Sequence, residues 1–267
     1  MLKDITLGQY FPGDTVIHRL DPRTKLIWTV LYIVALFLAK SYSAYFLMAA
    51  LLTGIVAASR ISARTIFKGL RPVVIIIAFT AVLNIFFTGG TVLLEFWVIK
   101  ITREGLVTAA LMVLRLVMLI TGTFLLTYTT SPLALTDGIE ALFNPLKKIK
   151  LPVHELAMMM SIALRFIPTL IEETDKIMSA QKARGADFET GNLLRRAKAM
   201  LPILVPLFIS AFRRADELAE AMESRCYHGG EGRTRMKKLG MARRDYAALA
   251  LGAASVAAVS AANLWLL

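Results

Sequence analysis

Five stretches of this chain are long and nearly free of charge, and they constrain the fold more than any other feature. They cover residues 24–40, 43–59, 72–89, 104–130 and 247–267. About 20 mainly apolar residues suffice for a helix to cross the hydrocarbon core of a bilayer. In that setting every backbone N–H and C=O must be paired within its own segment or barrel, so each run is expected as a membrane-spanning helix. The chain therefore reads as an all-α integral membrane protein. The first 25 residues contain Pro12, Gly13 and Pro22 among mixed charges and lack the apolar core of a cleavable signal.

Charge placement gives the expected topology. Lys and Arg collect on the cytoplasmic side of spans. His18, Arg19, Arg23 and Lys25 precede the first run, and Arg60, Arg64, Lys68 and Arg71 follow the second. The connections at 40–43, with Lys40, and at 90–103, with Glu95, Lys100 and Arg103, then fall outside. The net charge of +12 follows from this bias rather than from nucleic-acid binding. Most of the charged residues lie in 131–246. The expected organisation is a cytoplasmic N-terminal segment (1–25), four spans (26–130), a cytoplasmic or interfacial charged domain (131–246) and a final span (247–267). Lys237, Lys238, Arg243 and Arg244 precede that last span.

Two further apolar stretches, 156–171 and 199–212, resemble spans. If both crossed, Lys176, Lys182, Arg184, Arg195, Arg196 and Lys198 would be exported, against the positive-inside preference. They are expected instead as helices at the cytoplasmic interface, with Arg195, Arg196 and Lys198 toward lipid headgroups. Ile167, Leu170, Ile171, Thr174, Ile177 and Met178 follow helical spacing, as do Val205, Phe208, Ile209, Phe212, Ala215 and Leu218. The opposite faces carry Glu172, Glu173, Asp175 and Lys176 in one helix, and Arg213, Arg214, Asp216, Glu217 and Glu220 in the other. Pro168 and Pro206 are expected to bend the starts of these helices.

At an offset of 41 residues the two helices align, with Asp175 on Asp216, Ala180 on Ala221 and Arg184 on Arg225. Each ends in an arginine between small residues, Ala183-Arg184-Gly185 and Ser224-Arg225-Cys226. A C-cap explains the first, because arginine suits the helix C-terminus and Gly185 can adopt a left-handed conformation. Arg225 is followed by Cys226, and the helix is expected to stop at Gly229 and Gly230, so capping leaves Arg225 unexplained. A guanidinium on a stalk, between residues small enough for a groove to close around it, fits bidentate pairing with a carboxylate. Two such tips imply two receiving sites.

The segments FPGDTVIHRLDPRTK (11–25), SPLALTDGIEALFNPLKKIKLPVHELAMMMSIALRFIPTL (131–170), QKARGADF (181–188) and AMESRCYHGGEGR (221–233) resemble the transmembrane T components of energy-coupling factor transporters over nearly the whole chain. Both signatures of that family are usually Ala-Arg-Gly, and the second departs here to Ser-Arg-Cys. The resemblance implies that two crossing coupling helices insert Arg184 and Arg225 into two cytoplasmic ABC-type ATPases. It also implies a membrane-embedded S component that binds a vitamin, with one T component serving several S components. ATP would be bound by the partner subunits, so the chain itself is expected to need no cofactor and to be non-catalytic.

The residues agree on what is missing. There is no G-x-x-x-x-G-K-[ST], and the glycine-rich 229–234 lacks its lysine. His154-Glu155 starts like H-E-x-x-H, but Met158 stands where the second histidine would be. Cys226 is the lone cysteine and is expected to serve packing. Met158, Met159, Met160, Met178, Met200 and Met222 read as membrane packing, although an adaptable binding surface would use the same residue type. Arg115, inside the fourth run, is a candidate functional charge; pairing within the bundle or snorkelling would also account for it. A conventional ABC permease would need an E-A-A-x-x-x-G loop, echoed only in part by Glu220-Ala221-Met222-Glu223. An intramembrane enzyme would need paired catalytic groups within the spans. A passive scaffold would lack nucleotide-linked motion.

Overall fold

A computed structural model describes residues 10–96, 99–188, 192–230 and 239–264. Positions 231–234, Lys237, Lys238, the last residues of the terminal run and the side chains of Glu95, Lys100 and Arg195 lie outside the described set. The described helices are α1 (Pro22–Leu38), α2 (Tyr42–Ser59), α3 (Ala63–Leu70), α4 (Val74–Phe87), α5 (Arg103–Thr129), α6 (Pro132–Phe143), α7 (Val153–Ala183), α8 (Leu193–Glu223) and α9 (Arg243–Leu264). Among the described residues, five helical stretches are long and apolar enough to cross a membrane: Tyr42–Ser59, Ala63–Phe87, Arg103–Thr129, Val153–Ala183 and Arg243–Asn263. α1, at 17 residues, is at the short end for a span. α7, expected at the interface, meets the measure because its apolar first half continues without a break into the charged second half.

Among the described residues, the connection between α4 and α5 departs from helix. Strands β1 (Val92–Phe96) and β2 (Ile99–Thr102) form an antiparallel hairpin, with Val92 opposite Thr102 and Phe96 opposite Ile99. Val92, Ile99, Ile101 and Thr102 are β-branched and favour extended backbone. Gly89 and Gly90 separate this stretch from α4. Thr102 then caps α5, accepting a hydrogen bond from Gly105 N–H and donating one to the Thr88 carbonyl.

The chain forms two compact units, one drawn from Gly8–Gly138 and Leu239–Leu267, the other from Ile139–Lys238. In the first unit the core is built by Tyr32, Leu36, Met48, Leu52, Met118, Leu125 and Val259. Tyr32 stacks on Trp28 with ring centroids 5.3 Å apart, and its hydroxyl donates to the Met118 carbonyl. Position 122 must be glycine for this approach, since a Cβ there would lie 2.5 Å from the Tyr32 ring. α1 and the second half of α5 run antiparallel. Lys25 Nζ at the start of α1 donates to the Thr129 carbonyl at the end of α5, at 2.8 Å.

α1 and α9 lie side by side in the same direction and are joined at both ends. At the start, the buried Asp245 carboxylate accepts from Asp21 N–H and from Ala242 N–H, both at 2.8 Å. Asp21 is itself the N-cap of α1, with Pro22 as the first helical residue. At the other end, Asn263 Oδ1 accepts from Lys40 and Ser41 N–H, and its amide donates to the Leu38 carbonyl.

Arg115 sits on α5 at the level of that turn. It donates to the Ala39 carbonyl at 2.9 Å and lies 5.4 Å from the centre of the Tyr45 ring. These contacts satisfy a carbonyl at the C-terminal end of α1, where a cation is favoured. Arg115→Leu removes a charged hydrogen bond and the ring contact, and is expected to destabilise the first unit by about 2 kcal/mol. Thermal unfolding in detergent checks this, with Arg115→Lys expected to lose less.

Candidate functional site

The second unit contains the two long helices α7 and α8, each of 31 residues. α7 is continuous through Pro168, and α8 through Pro202 and Pro206. The charged faces of the two helices partly meet each other. Glu173 of α7 accepts from Ser210 Oγ and, through its other oxygen, from Arg214 of α8 at 3.0 Å. The apolar stripe of α8 faces outward: Phe208 is 61% exposed and Phe212 66%, with Val205 and Ile209 similar. Helical spacing identifies a stripe but does not say which face a neighbouring helix will take. Here the charged pair takes the helix contact and the aromatic stripe is left uncovered within the chain.

The two predicted tips end in the same way. At the end of α7, Gly185 has a left-handed φ of +86°. Gly185 N–H donates to the Lys182 carbonyl and Ala186 N–H to the Gln181 carbonyl, both at 3.0 Å. This pair of bonds is a Schellman motif, which satisfies the last carbonyls of a helix. At the end of α8, Cys226 has φ +56°. Cys226 N–H donates to Glu223 at 2.8 Å and Tyr227 N–H to Met222 at 3.0 Å. Every donor and acceptor of the second motif lies 41 residues after its counterpart in the first.

The expectation that α8 stops at Gly229 and Gly230 is therefore corrected. The helix ends at Glu223, and Cys226 just beyond it takes the left-handed position that Gly185 takes after α7. Gly229 is also left-handed, at φ +101°, but it lies beyond the cap. Capping explains the position of Arg225 as fully as that of Arg184. Each is the residue just before the left-handed turn, and the duplicated helix, rather than the residue type after the arginine, sets where the chain turns. The offset of 41 already placed Cys226 on Gly185, so the signal was present in the alignment. The reading of Cys226 as a packing residue is corrected too, because it is exposed.

Ala183, Arg184, Gly185, Ser224, Arg225 and Cys226 are all exposed. Among the described residues neither tip guanidinium has an ion-pair or hydrogen-bond partner. Ser224, the residue that follows α8, keeps helical dihedrals (φ −63°, ψ −20°). Cys226 lacks the conformational freedom of glycine at a left-handed position. Cys226→Gly is expected to keep the tip, whereas Cys226→Val, with a branched Cβ at positive φ, should loosen the end of α8 by about 1–2 kcal/mol. Hydrogen exchange of the Cys226 and Tyr227 amides measures the difference. Among the described residues no group of His, Cys, Asp and Glu is placed to hold a metal ion.

The chain matches the family model described as "Cobalt transport protein" (CbiQ) over residues 13–236. It is 56% identical to the "Energy-coupling factor transporter transmembrane protein EcfT" of Thermosediminibacter oceani, covering 99% of this chain and all of the relative. Proteins of the same name from Bacillus subtilis and Lactococcus lactis are 51% and 49% identical, covering 92% and 91% of this chain and 93% and 92% of the relatives. With the duplicated caps and the membrane-length helices, these likenesses identify the chain as a member of the CbiQ family and a transmembrane EcfT component of energy-coupling factor transporters.

Proposed function

We propose that this chain is the non-catalytic coupling subunit of an ATP-driven vitamin importer. Arg184 and Arg225 dock two ABC-type ATPases on the cytoplasmic side, and an exchangeable S component carries the substrate. ATP binds on the partner subunits. The observation that carries this reading is the pair of congruent caps, each presenting an exposed arginine between small residues and without a partner among the described residues. Two like tips suit two like receivers, and guanidinium is suited to acidic grooves. The uncovered stripe Met200, Leu201, Val205, Phe208, Ile209 and Phe212 suits a membrane-embedded partner, because an apolar face of this kind is stable against lipid or another membrane protein.

A permease with its own substrate pathway finds less support. The cavity of about 220 Å³ in the first unit is walled mainly by apolar side chains such as Ile17, Leu20, Trp28 and Leu125. Its lysine, Lys25, is engaged with the His18 and Thr129 carbonyls. That lining suits packing better than recognition of a polar substrate.

The test is affinity capture of the tagged chain from native membranes in mild detergent. Two ATPase subunits and at least one small vitamin-binding membrane protein are expected to copurify. Substrate binding by the isolated chain would overturn the reading.

A further inference from the structure

We propose that Glu173, Ser210 and Arg214 form a pivot that fixes where α7 and α8 bear on each other and so keeps the two tip arginines in step. The proposal rests on the coupling role argued above and assigns positioning residues to it.

The argument begins with the repeat. Under the offset of 41, the counterpart of Glu173 is Arg214 itself, so the two copies touch at the same rung. A contact between a position and its own equivalent is what a local two-fold relation requires, as in the self-complementary contact of a symmetric pair. The identities differ, one acidic and one basic, and this turns a like-residue contact into an attractive one. Ser210 adds a second bond to the other oxygen of Glu173.

The arms from this point are equal. Eleven residues separate Glu173 from Arg184, and eleven separate Arg214 from Arg225. At 1.5 Å per residue each arginine lies about 16 Å along its helix from the contact. A change in the angle between α7 and α8 therefore displaces both tips by the same amount. A shift of one helix along the other would move one tip outward and the other inward.

The chemistry favours turning over sliding. An apolar seam can slip between rungs because its contacts are non-directional. A carboxylate held through both oxygens by a serine hydroxyl and a guanidinium is directional, and a one-turn slip breaks both bonds. The side chains are partly shielded, with Glu173 23% and Arg214 37% exposed, so salt screens them less than a fully exposed pair. The outward-facing aromatic stripe of α8 leaves this polar contact as a defined point of attachment.

Two readouts test the pivot. The first requires no partner. Spin labels at Ala180→Cys and Ala221→Cys, equivalent exposed positions near the tips, are placed in a Cys226→Gly background. One narrow distance distribution is expected. Glu173→Ala should broaden it about two-fold, and the exchange Glu173→Arg with Arg214→Glu should narrow it again. An unchanged distribution in Glu173→Ala, or no recovery in the exchange, overturns the pivot.

The second readout uses the assembled transporter. With Glu173→Ala the ATPases should still copurify and hydrolyse ATP, while uptake falls about ten-fold; the charge exchange should restore most of it. Unchanged uptake overturns the pivot, and so does an equal loss of ATPase capture without rescue. If even the unaltered chain captures no ATPases, the coupling role fails while the spin-label result still judges the contact.

Discussion

Replacing Arg184 and Arg225 together with glutamate is expected to abolish retention of the ATPase subunits. A charge pair desolvated at an interface can contribute roughly 1.5–7 kcal/mol of coupling. Reversal both removes that attraction and places like charges together. Losing two such contacts should weaken binding by at least about a hundred-fold. Both arginines are exposed, with no partner among the described residues, so thermal unfolding of the isolated chain should change only by the small macrodipole effect of about 0.3–1 kcal/mol at each helix end. That separates lost docking from lost folding. Because the two caps share one hydrogen-bond pattern, Arg184→Glu and Arg225→Glu should each have a similar partial effect in quantitative copurification. Normal capture by the double variant would rule out the docking role.

A large effect on stability is expected at Asp245. Asp245 is 1% exposed; its carboxylate joins the first turn of α9 to the N-cap of α1 through one hydrogen bond, from Asp21 N–H, and caps α9 through a second, from Ala242 N–H. Asp245→Ala leaves the buried Asp21 N–H without an acceptor and removes the cap on Ala242 N–H, and should destabilise the first unit by about 2 kcal/mol. Asp245→Asn keeps one carbonyl acceptor and should lose about half of that. Thermal unfolding of the purified chain in detergent, with yield from membranes as a second measure, distinguishes the two. Equal stability of all three forms would show that the joint between α1 and α9 does not matter.

Much of the helical architecture could be read from the apolar runs, because a segment that leaves water for lipid has few ways to pair its backbone. The hairpin at β1 and β2 was harder to see. Its strands are short, and its β-branched residues lie in a connection where charge counting draws attention to Lys100 and Arg103. Tip geometry was legible only in part. Glycine at 185 announces a left-handed turn, but cysteine at 226 does not, and the next glycine, Gly229, draws the expected stop past it. The contact between Glu173 and Arg214 is not legible in the sequence, for a different reason. Helical spacing sorts residues into faces, and charged faces are ordinarily assigned to solvent. Only the packing of α7 on α8 reveals that these two charges compensate each other while Phe208 and Phe212 face outward. Arg115 was visible as an unusual charge, but the carbonyl that receives it comes from a turn 76 residues away.

The left-handed turn at Cys226 also gives the protein a built-in reporter. As the sole sulfhydryl in the polypeptide and open to solvent, it offers a single attachment point for a fluorophore one residue beyond a tip guanidinium. A maleimide dye should react readily with the unbound subunit and slowly once a motor protein occupies that end. The rate of dye incorporation would thus track occupancy of one dock in otherwise unaltered protein, leaving the Gly185 end as a silent internal reference.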